Sequence, residues 1–179
     1  MMIEREFTAK DRRRVLLRKP RLEDADGLLD FINSLVREKA PINKMSEVSR
    51  AEEDKFLCRR LASIEDGDVL HLIAEMDDEI VGSAEVCKLS GRESHVGTLG
   101  IGVKSGYRRI GIATKLIETL TQRAKHQGLK IILLAVYENN VPAITLYRKL
   151  GFKEIGRTPK GVYWEGKYID DIKMAKAIG

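Results

Sequence analysis

Apolar and polar residues follow two periods along this chain, and the pattern predicts a succession of strands and helices. Apolar positions recur at helical spacing in stretches that cover residues 22–36, about 49–64, 106–127 and about 140–150. Alternating or continuous apolar runs predict strands over residues 15–17, 69–76, 80–89, 94–103, 129–136, 152–157 and 163–175. The order βααβββαβαββ is that of an α/β domain, or α+β by stricter definition, with helices on the faces of a mixed sheet.

Turn residues mark several of the connections. Asp77-Asp78 predicts a tight hairpin, because Asp tolerates turn geometry. Gly128 ends the longest helical stretch, and Pro159-Lys160-Gly161 would join the last two strands as an antiparallel pair. The continuous apolar run over residues 129–136 is typical of a strand that is buried on both faces.

Length and composition narrow the class of protein. The 179 residues suit one domain, and 43% hydrophobic with 33% charged residues excludes a disordered or collagen-like chain. Cys58 and Cys87 form neither a disulfide framework nor a zinc motif. No apolar run approaches the ~18 residues of a membrane span, and the N-terminus lacks the apolar stretch of a secretory signal. We expect a single cytoplasmic domain over residues 1–179, with residues 1–13 a poorly ordered basic arm.

Charge is distributed unevenly around a net value of +5. Residues 22–86 hold 7 basic and 17 acidic side chains, whereas residues 87–160 hold 14 basic and 4 acidic ones. The basic half favours a polyanionic ligand, either a phosphorylated cofactor or nucleic acid, and the acidic half favours a cationic substrate. An uneven solvated surface explains the same counts. Nucleic acid is the weaker interpretation, because aromatic residues are only 6% and are not interleaved with the basic ones.

A strand that contains two glycines precedes the longest helical stretch. Gly100 and Gly102 interrupt an otherwise β-rich segment, which indicates a bulge or a place where another backbone or a ligand approaches closely.

The turn after that strand has the features of a phosphate site. Arg108 and Arg109 supply positive charge, while Gly111 and Ala113 are small enough to let a phosphate reach the backbone. The first N–H groups of a helix have no acceptor within it, and the helix dipole adds partial positive charge there. The segment is neither a P-loop nor a dinucleotide-binding turn. It predicts a pyrophosphate cradle.

In this context the chain resembles the GNAT-type N-acetyltransferase superfamily. The family pattern Arg/Gln-x-x-Gly-x-Gly/Ala is met by Arg108, Gly111 and Ala113, and a second family motif covers residues 140–152. The resemblance extends over about residues 15–175 and is strongest at 96–152. It implies a largely antiparallel sheet with a split between two central strands, in which acetyl-coenzyme A (acetyl-CoA) binds as acyl donor without a metal.

The resemblance also implies roles for individual residues. The backbone of Ile101, Gly102 and Val103 would receive the pantetheine arm, to which Asn140 would also bond, and Tyr147 would face the thioester sulfur. The pyrophosphate would lie on Arg108, Arg109, Ile110, Gly111, Ile112, Ala113 and Thr114. From the residues alone, the alternative for Asn140 is a helix cap and the alternative for Tyr147 is a core aromatic residue.

The implied reaction is direct attack of a primary amine on the acetyl thioester. An amine with a pKa of ~10 is mostly protonated at neutral pH, so a base, or a chain of water molecules that leads to one, must remove a proton. Tyr147 is suited to protonate the departing thiolate, and a backbone N–H near Ile101 to bind the developing oxyanion.

The identity of the base stays open. Thr98 stands where many family members carry a glutamate on the cofactor strand. Glu85 ranks first among the alternatives, before Glu138 and His95. A covalent route through Cys87 is disfavoured, because no histidine partner is placed beside it in the sequence.

The sequence gives few indications of which molecule accepts the acetyl group. In this family the first two helices and the loop over residues 38–49 usually form the acceptor wall, and that region contains the acidic residues Glu47, Glu52, Glu53 and Asp54. Residues 163–171 resemble the tails of small-molecule amino-acid and amine acetyltransferases. We therefore expect an acyltransferase for a small amine, with no nucleic-acid or membrane partner. The alternatives are a protein N-terminal or lysine acetyltransferase and a coenzyme A-binding regulatory module. The last strand pair offers an edge for a homodimer.

Overall fold

One sheet organises the part of the chain that this computed structural model describes, residues 3–179. Its strands lie in the order β1-β2-β3-β4-β5-β6-β8-β7, and all neighbours are antiparallel except β5 and β6. The strands are β1 (Ile3–Thr8), β2 (Arg14–Arg18), β3 (Val69–Met76), β4 (Glu79–Lys88), β5 (Val96–Val103), β6 (Ile131–Tyr137), β7 (Lys153–Trp164) and β8 (Lys167–Ala177). The helices are α1 (Ala25–Arg37), α2 (Arg50–Glu65), α3 (Ile112–His126) and α4 (Val141–Lys149). The predicted fold class is confirmed.

The helices cover both faces of the sheet. α3 packs on one face, where Gly82 leaves room for it: a Cβ there would lie 3.1 Å from Ile112 and 3.4 Å from Leu116. α1 and α2 cover the other face, and a Cβ at Gly102 would lie 2.8 Å from Leu35 of α1. None of the helices within residues 3–179 is long and apolar enough to cross a membrane.

The N-terminal segment is a strand, so the prediction of a poorly ordered arm over residues 1–13 is wrong where the structure describes it; residues 1 and 2 lie outside the described part. Phe7 of β1 pairs with Val15 of β2 and packs against the main core. Glu4 forms an ion pair with Arg123 of α3 at 2.7 Å. β1 (IEREFT) contains only two apolar residues, and for that reason its hydrophobic pattern does not reveal the strand.

Two connections differ from their predictions. α3 begins at Ile112 rather than near residue 106, because Gly111 (φ +105°) interrupts the helical path. The β7–β8 turn lies at Glu165 and Gly166, whereas Pro159-Lys160-Gly161 falls at an irregularity within β7. The Asp77-Asp78 hairpin is confirmed, and both residues are left-handed.

Two local predictions about strands also need correction. β6 is buried mainly on one face: Ile132 and Leu134 are buried, whereas Ala135 is exposed. The glycines of β5 do not form a bulge, because β4 and β5 pair without a register shift from Gly82↔Val103 to Lys88↔Gly97. At Gly102 the close neighbours are the side chains of Leu35 and Phe31 of α1, whereas the prediction was another backbone or a ligand.

Gly97 gives a test of this packing. A Cβ there would lie 2.6 Å from Cγ1 of buried Val86, which is β-branched and fixed in the core. We expect Gly97→Ala to lower the free energy of unfolding by about 1–3 kcal/mol through overpacking. Gly100→Ala is the control, since its Cβ would meet only Cγ of Glu85 at 3.8 Å. Equal stability of the two variants in urea denaturation would contradict this packing.

Candidate active site

β5 and β6 separate after a short parallel pairing. The pairing covers Val96↔Ile131 to Thr98↔Leu133, after which β5 continues beside β4 and β6 beside β8. Ile101, Gly102 and Val103 lie on the part of β5 that has lost its second neighbour. An unpaired strand edge presents N–H and C=O groups to any extended chain that enters beside it.

The N-terminus of α3 is open and presents free backbone N–H groups. Gly111 caps the helix without a side-chain hydrogen bond, and nothing lies within 4 Å of the position of a Cβ there. The backbone N–H groups of Ile112, Ala113 and Thr114 donate to no atom of residues 3–179; Lys115 N–H is the first to bond back, to the Gly111 carbonyl at 3.1 Å. Free N–H groups and the helix dipole together favour a phosphate.

The β1–β2 turn fixes the orientation of this loop. Lys10 N–H donates to the Ile110 carbonyl at 3.1 Å. Because a trans peptide is planar, the N–H of Gly111 then points away from Lys10. The guanidinium of Arg13 lies 5.0 Å from the centre of the Tyr107 ring, and the Tyr107 hydroxyl donates to Glu79 at 2.6 Å. Sequence reasoning missed this support because it depends on β1.

The two arginines of the loop are placed differently. Nε of Arg108 donates to the Val103 carbonyl at 2.8 Å, and its guanidinium also bonds Glu38, just after α1. Arg108 therefore ties the loop to α1. The exposed Arg109, left-handed at φ +64°, forms no ion pair with any other described residue. Of the two, Arg109 has its charge free for a ligand.

Tyr147 lies on α4, which follows β6, and Asn140 immediately precedes that helix. The Asn140 side-chain oxygen accepts from Ala143 N–H at 3.4 Å and caps the helix. Tyr147 is 8% exposed and packs against Phe152 with ring centres 5.8 Å apart. Burial raises the pKa of Tyr147 to about 12. At neutral pH this hydroxyl is a proton donor.

Glu85 faces an open position on β5. It pairs directly with Gly100, and a Cβ on Gly100 would lie 3.8 Å from Cγ of Glu85. Oε2 of Glu85 is 3.1 Å from Nε of Arg60 on α2. Burial raises the pKa of Glu85 above its ordinary value, although Arg60 opposes the shift. The missing side chain of Gly100 leaves space beside a carboxylate of increased basicity.

Other polar side chains, on β3 and β4, lie near Glu85. His71 of β3, directly opposite Glu85, is 4% exposed; its Nε2 lies 2.8 Å from Oγ of Ser83. Burial, aided by the charge of Arg60, lowers the pKa of His71 to about 4, so the ring is neutral at pH 7. Cys87 receives a 3.4 Å hydrogen bond from Arg60, and burial raises the pKa of its thiol. A protonated thiol is a poor nucleophile, which argues against a covalent route.

Sequence reasoning missed Arg60 and His71, although both left a signal. His71 is a polar residue within an apolar strand, and Arg60 follows the aromatic Phe56 by one helical turn. Their proximity to Glu85 depends on the packing of α2 over β3 and β4.

The other candidate bases lie elsewhere. The carboxylate of Glu138 accepts from Asp170 N–H at 2.9 Å, so it holds β8 in place. The exposed His95 lies just before the first residue of β5, at the end of the strand where β5 and β6 still pair. Thr98, also exposed, donates to the Cys87 carbonyl at 3.4 Å. Among these candidates, Glu85 is the one directly opposite Gly100.

The β7–β8 hairpin contacts the segment that was predicted to form the acceptor wall. Lys39, in the connection between α1 and α2, forms a 3.9 Å ion pair with Glu165 in the β7–β8 turn. Trp164 also packs against Tyr137 at the end of β6, with ring centres 5.8 Å apart. The β7–β8 hairpin therefore encloses the same side of the molecule as the 38–49 loop.

Comparisons of sequence and of structure with known proteins all identify acetyltransferases as similar to this chain. Residues 30–152 match the Acetyltransferase (GNAT) family. The chain is similar to L-amino acid N-acetyltransferase AaaT of Escherichia coli (strain K12), with 32% identity over 111 residues, 60% of this chain and 68% of that protein. An N-alpha-acetyltransferase of Saccharolobus solfataricus is 29% identical over 175 residues, 97% of this chain and 99% of its own. The crystal structure of a GNAT-family acetyltransferase from Streptococcus pneumoniae superposes with a TM-score of 0.78 at 27% identity, covering 92% and 99% of the two chains.

Proposed function

This chain belongs to the GNAT family of acetyltransferases, and we propose that it transfers the acetyl group of acetyl-CoA directly to the primary amine of an amino acid or another small amine. The observation that carries the proposal is the open split between β5 and β6 together with the uncapped N-terminus of α3. The similarity to an L-amino acid N-acetyltransferase supports the choice of acceptor.

The residues present fit acetyl-CoA as the donor. Its pyrophosphate would bind the free N–H groups at the start of α3, from Ile112 to Thr114, with Arg109 as the counter-charge. Its pantetheine amides would pair with the β5 edge at Ile101–Val103, and the Asn140 side chain would bond to the same arm. The donor supplies an activated thioester, while the protein supplies orientation and proton transfer.

Proton transfer falls to Glu85 and Tyr147. Glu85 accepts the proton that the ammonium group must lose, and the burial that raises its pKa makes it a better base. The neutral hydroxyl of Tyr147 gives a proton to the departing thiolate. A backbone N–H near Ile101 stabilises the developing oxyanion.

Removing the Tyr147 hydroxyl tests the second of these roles. We expect Tyr147→Phe to lower kcat by about tenfold to a hundredfold, because the thiolate then leaves without a donor. The dissociation constant of acetyl-CoA, measured by calorimetry, is expected to change by less than about threefold, since the ring still packs on Phe152. The exposed Tyr163→Phe serves as control. Unchanged turnover of Tyr147→Phe would remove Tyr147 from the mechanism.

The function itself is tested by titration with acetyl-CoA and by release of free thiol with a panel of amines. Micromolar binding with thiol release on free amino acids or small amines supports the proposal. Binding without release from any small amine would point to a protein acceptor or a regulatory module. Absence of binding would overturn the proposal.

Acetylation of protein N-termini is the second candidate. The N-alpha-acetyltransferase of S. solfataricus aligns with this chain over nearly its full length. Short peptides with free N-termini therefore belong in the acceptor panel, and their exclusive use would favour this candidate.

A further inference from the structure

The side chains of Arg60 on α2 and Glu85 on β4 lie side by side without a well-formed hydrogen bond. Nε of Arg60 and Oε2 of Glu85 are 3.1 Å apart, and the side chains are 20% and 24% exposed. Neither atom has a hydrogen-bond partner of acceptable geometry within the described chain. An arginine and a carboxylate that serve only each other usually form parallel, charge-assisted hydrogen bonds. This pair is neutral as a whole, its two facing atoms are buried, and Oε1 of Glu85 accepts only a long hydrogen bond of 3.8 Å from Sγ of Cys87.

Arg60 has other contacts that fix its position. Its guanidinium lies 5.0 Å from the centre of the Phe56 ring, and Nη1 donates to Sγ of Cys87 at 3.4 Å. His71, the remaining titratable side chain facing the pair, is neutral. Arg60 therefore keeps its place if Glu85 binds another group, which is the requirement for a preorganised anion site.

The position next to the pair is open. Gly100 places no side chain before Glu85, and β5 loses its β6 neighbour beyond Thr98. The proposed function brings the reactive thioester to this edge, so an amine that rests on Glu85 would lie beside it.

We propose that Arg60 and Glu85 together recognise a free α-amino acid, with Arg60 binding the α-carboxylate and Glu85 the ammonium group that is acetylated. The inference rests on the proposed function and deepens it, because it names the class of acceptor. Arg60 is a specificity-determining residue in this scheme.

Charge balance favours such a zwitterion over a simple amine. The carboxylate and ammonium of an α-amino acid are separated by a single carbon atom, which suits a receptor whose opposite charges are adjacent. Binding gives each protein charge an opposite partner and leaves no buried charge uncompensated. An amine without the carboxylate brings a second cation beside Arg60 and gives it no anion. A protein N-terminus has the same deficiency.

The first test needs no variant. Each member of a panel of L-amino acids is compared with its α-carboxamide and with the amine that lacks the carboxyl group. We expect kcat/KM to favour the free amino acid by about tenfold to a hundredfold, as for loss of a charge-assisted contact. Calorimetry on protein preloaded with coenzyme A is expected to show the same preference in binding. Equal use of the three forms, or turnover of peptide N-termini alone, would overturn the inference.

A matched pair of variants then assigns the preference to Arg60. Arg60→Gln is expected to raise KM for the amino acid at least about tenfold while it leaves KM for the carboxamide nearly unchanged. Arg59→Gln makes the same charge change at the neighbouring exposed position and is expected to keep the preference. If Arg60 had a purely structural role, Arg60→Gln would instead raise KM equally for the amino acid and for the carboxamide, and that result would overturn the assignment.

Failure of the proposed function and failure of carboxylate recognition by Arg60 give different experimental results. A protein that binds no acetyl-CoA and releases no thiol would contradict the proposed function. A protein that binds acetyl-CoA and acetylates amines without regard to a carboxylate would contradict only the inference about Arg60.

Discussion

Gly111→Glu is expected to weaken acetyl-CoA binding by at least about a hundredfold, because the change acts on the phosphate site in two ways. Gly111 has φ +105°, a conformation that a residue with a Cβ adopts only under strain. The new carboxylate would also occupy the free N–H groups of Ile112 to Thr114 and repel the pyrophosphate. Calorimetric titration with acetyl-CoA measures the loss.

The same substitution at the other end of α3 separates these effects from general strain. Gly128 is also left-handed (φ +85°), and nothing lies within 4 Å of a Cβ there. Gly128→Glu therefore introduces similar strain and the same charge away from the cradle, and it is expected to retain affinity. Equal losses in both variants would attribute the effect to stability. Retained affinity in Gly111→Glu would exclude this helix N-terminus as the phosphate site.

Local signals in the sequence account for the elements that were predicted well. β3 ends at Met76 because Asp77 and Asp78 adopt the left-handed turn that their residue type permits. The pattern does not reveal β1 because only Ile3 and Phe7 among its six residues are apolar, and the ion pair between Glu4 and Arg123 joins segments that are distant in sequence. The β7–β8 turn was misplaced because Pro159-Lys160-Gly161 is the stronger turn signal, although the strand continues past it.

Contacts between distant segments also limit what the sequence predicts about the candidate site. The arrangement proposed as the phosphate cradle is predictable because its parts are consecutive: a strand, a glycine turn and a helix N-terminus. Glu85 was predictable from its position on the strand next to β5. Arg60 and His71 were not, because they reach Glu85 only when α2 packs on the sheet and β3 pairs with β4. Contacts between distant segments leave only an isolated polar residue in an apolar pattern as their trace.

Glu85→Gln is expected to lower kcat by about a hundredfold to a thousandfold near neutral pH, since the amide cannot accept the proton of the ammonium group. Glu138→Gln is the matched comparison: its amide oxygen still accepts from Asp170 N–H, so most of the activity is expected to remain. The reverse outcome would assign the base to Glu138.

The pH dependence of the rate separates a base from a merely structural carboxylate. Because burial raises the pKa of Glu85, the wild-type rate is expected to fall as the pH drops through a value above 4.5, where Glu85 becomes protonated. Glu85→Gln loses that limb of the profile. Its deficit is expected to shrink as the pH approaches ~10, where a typical amine loses its proton to solvent without help. A deficit that stays constant across this range would contradict proton transfer to Glu85 and leave it a role in binding the acceptor.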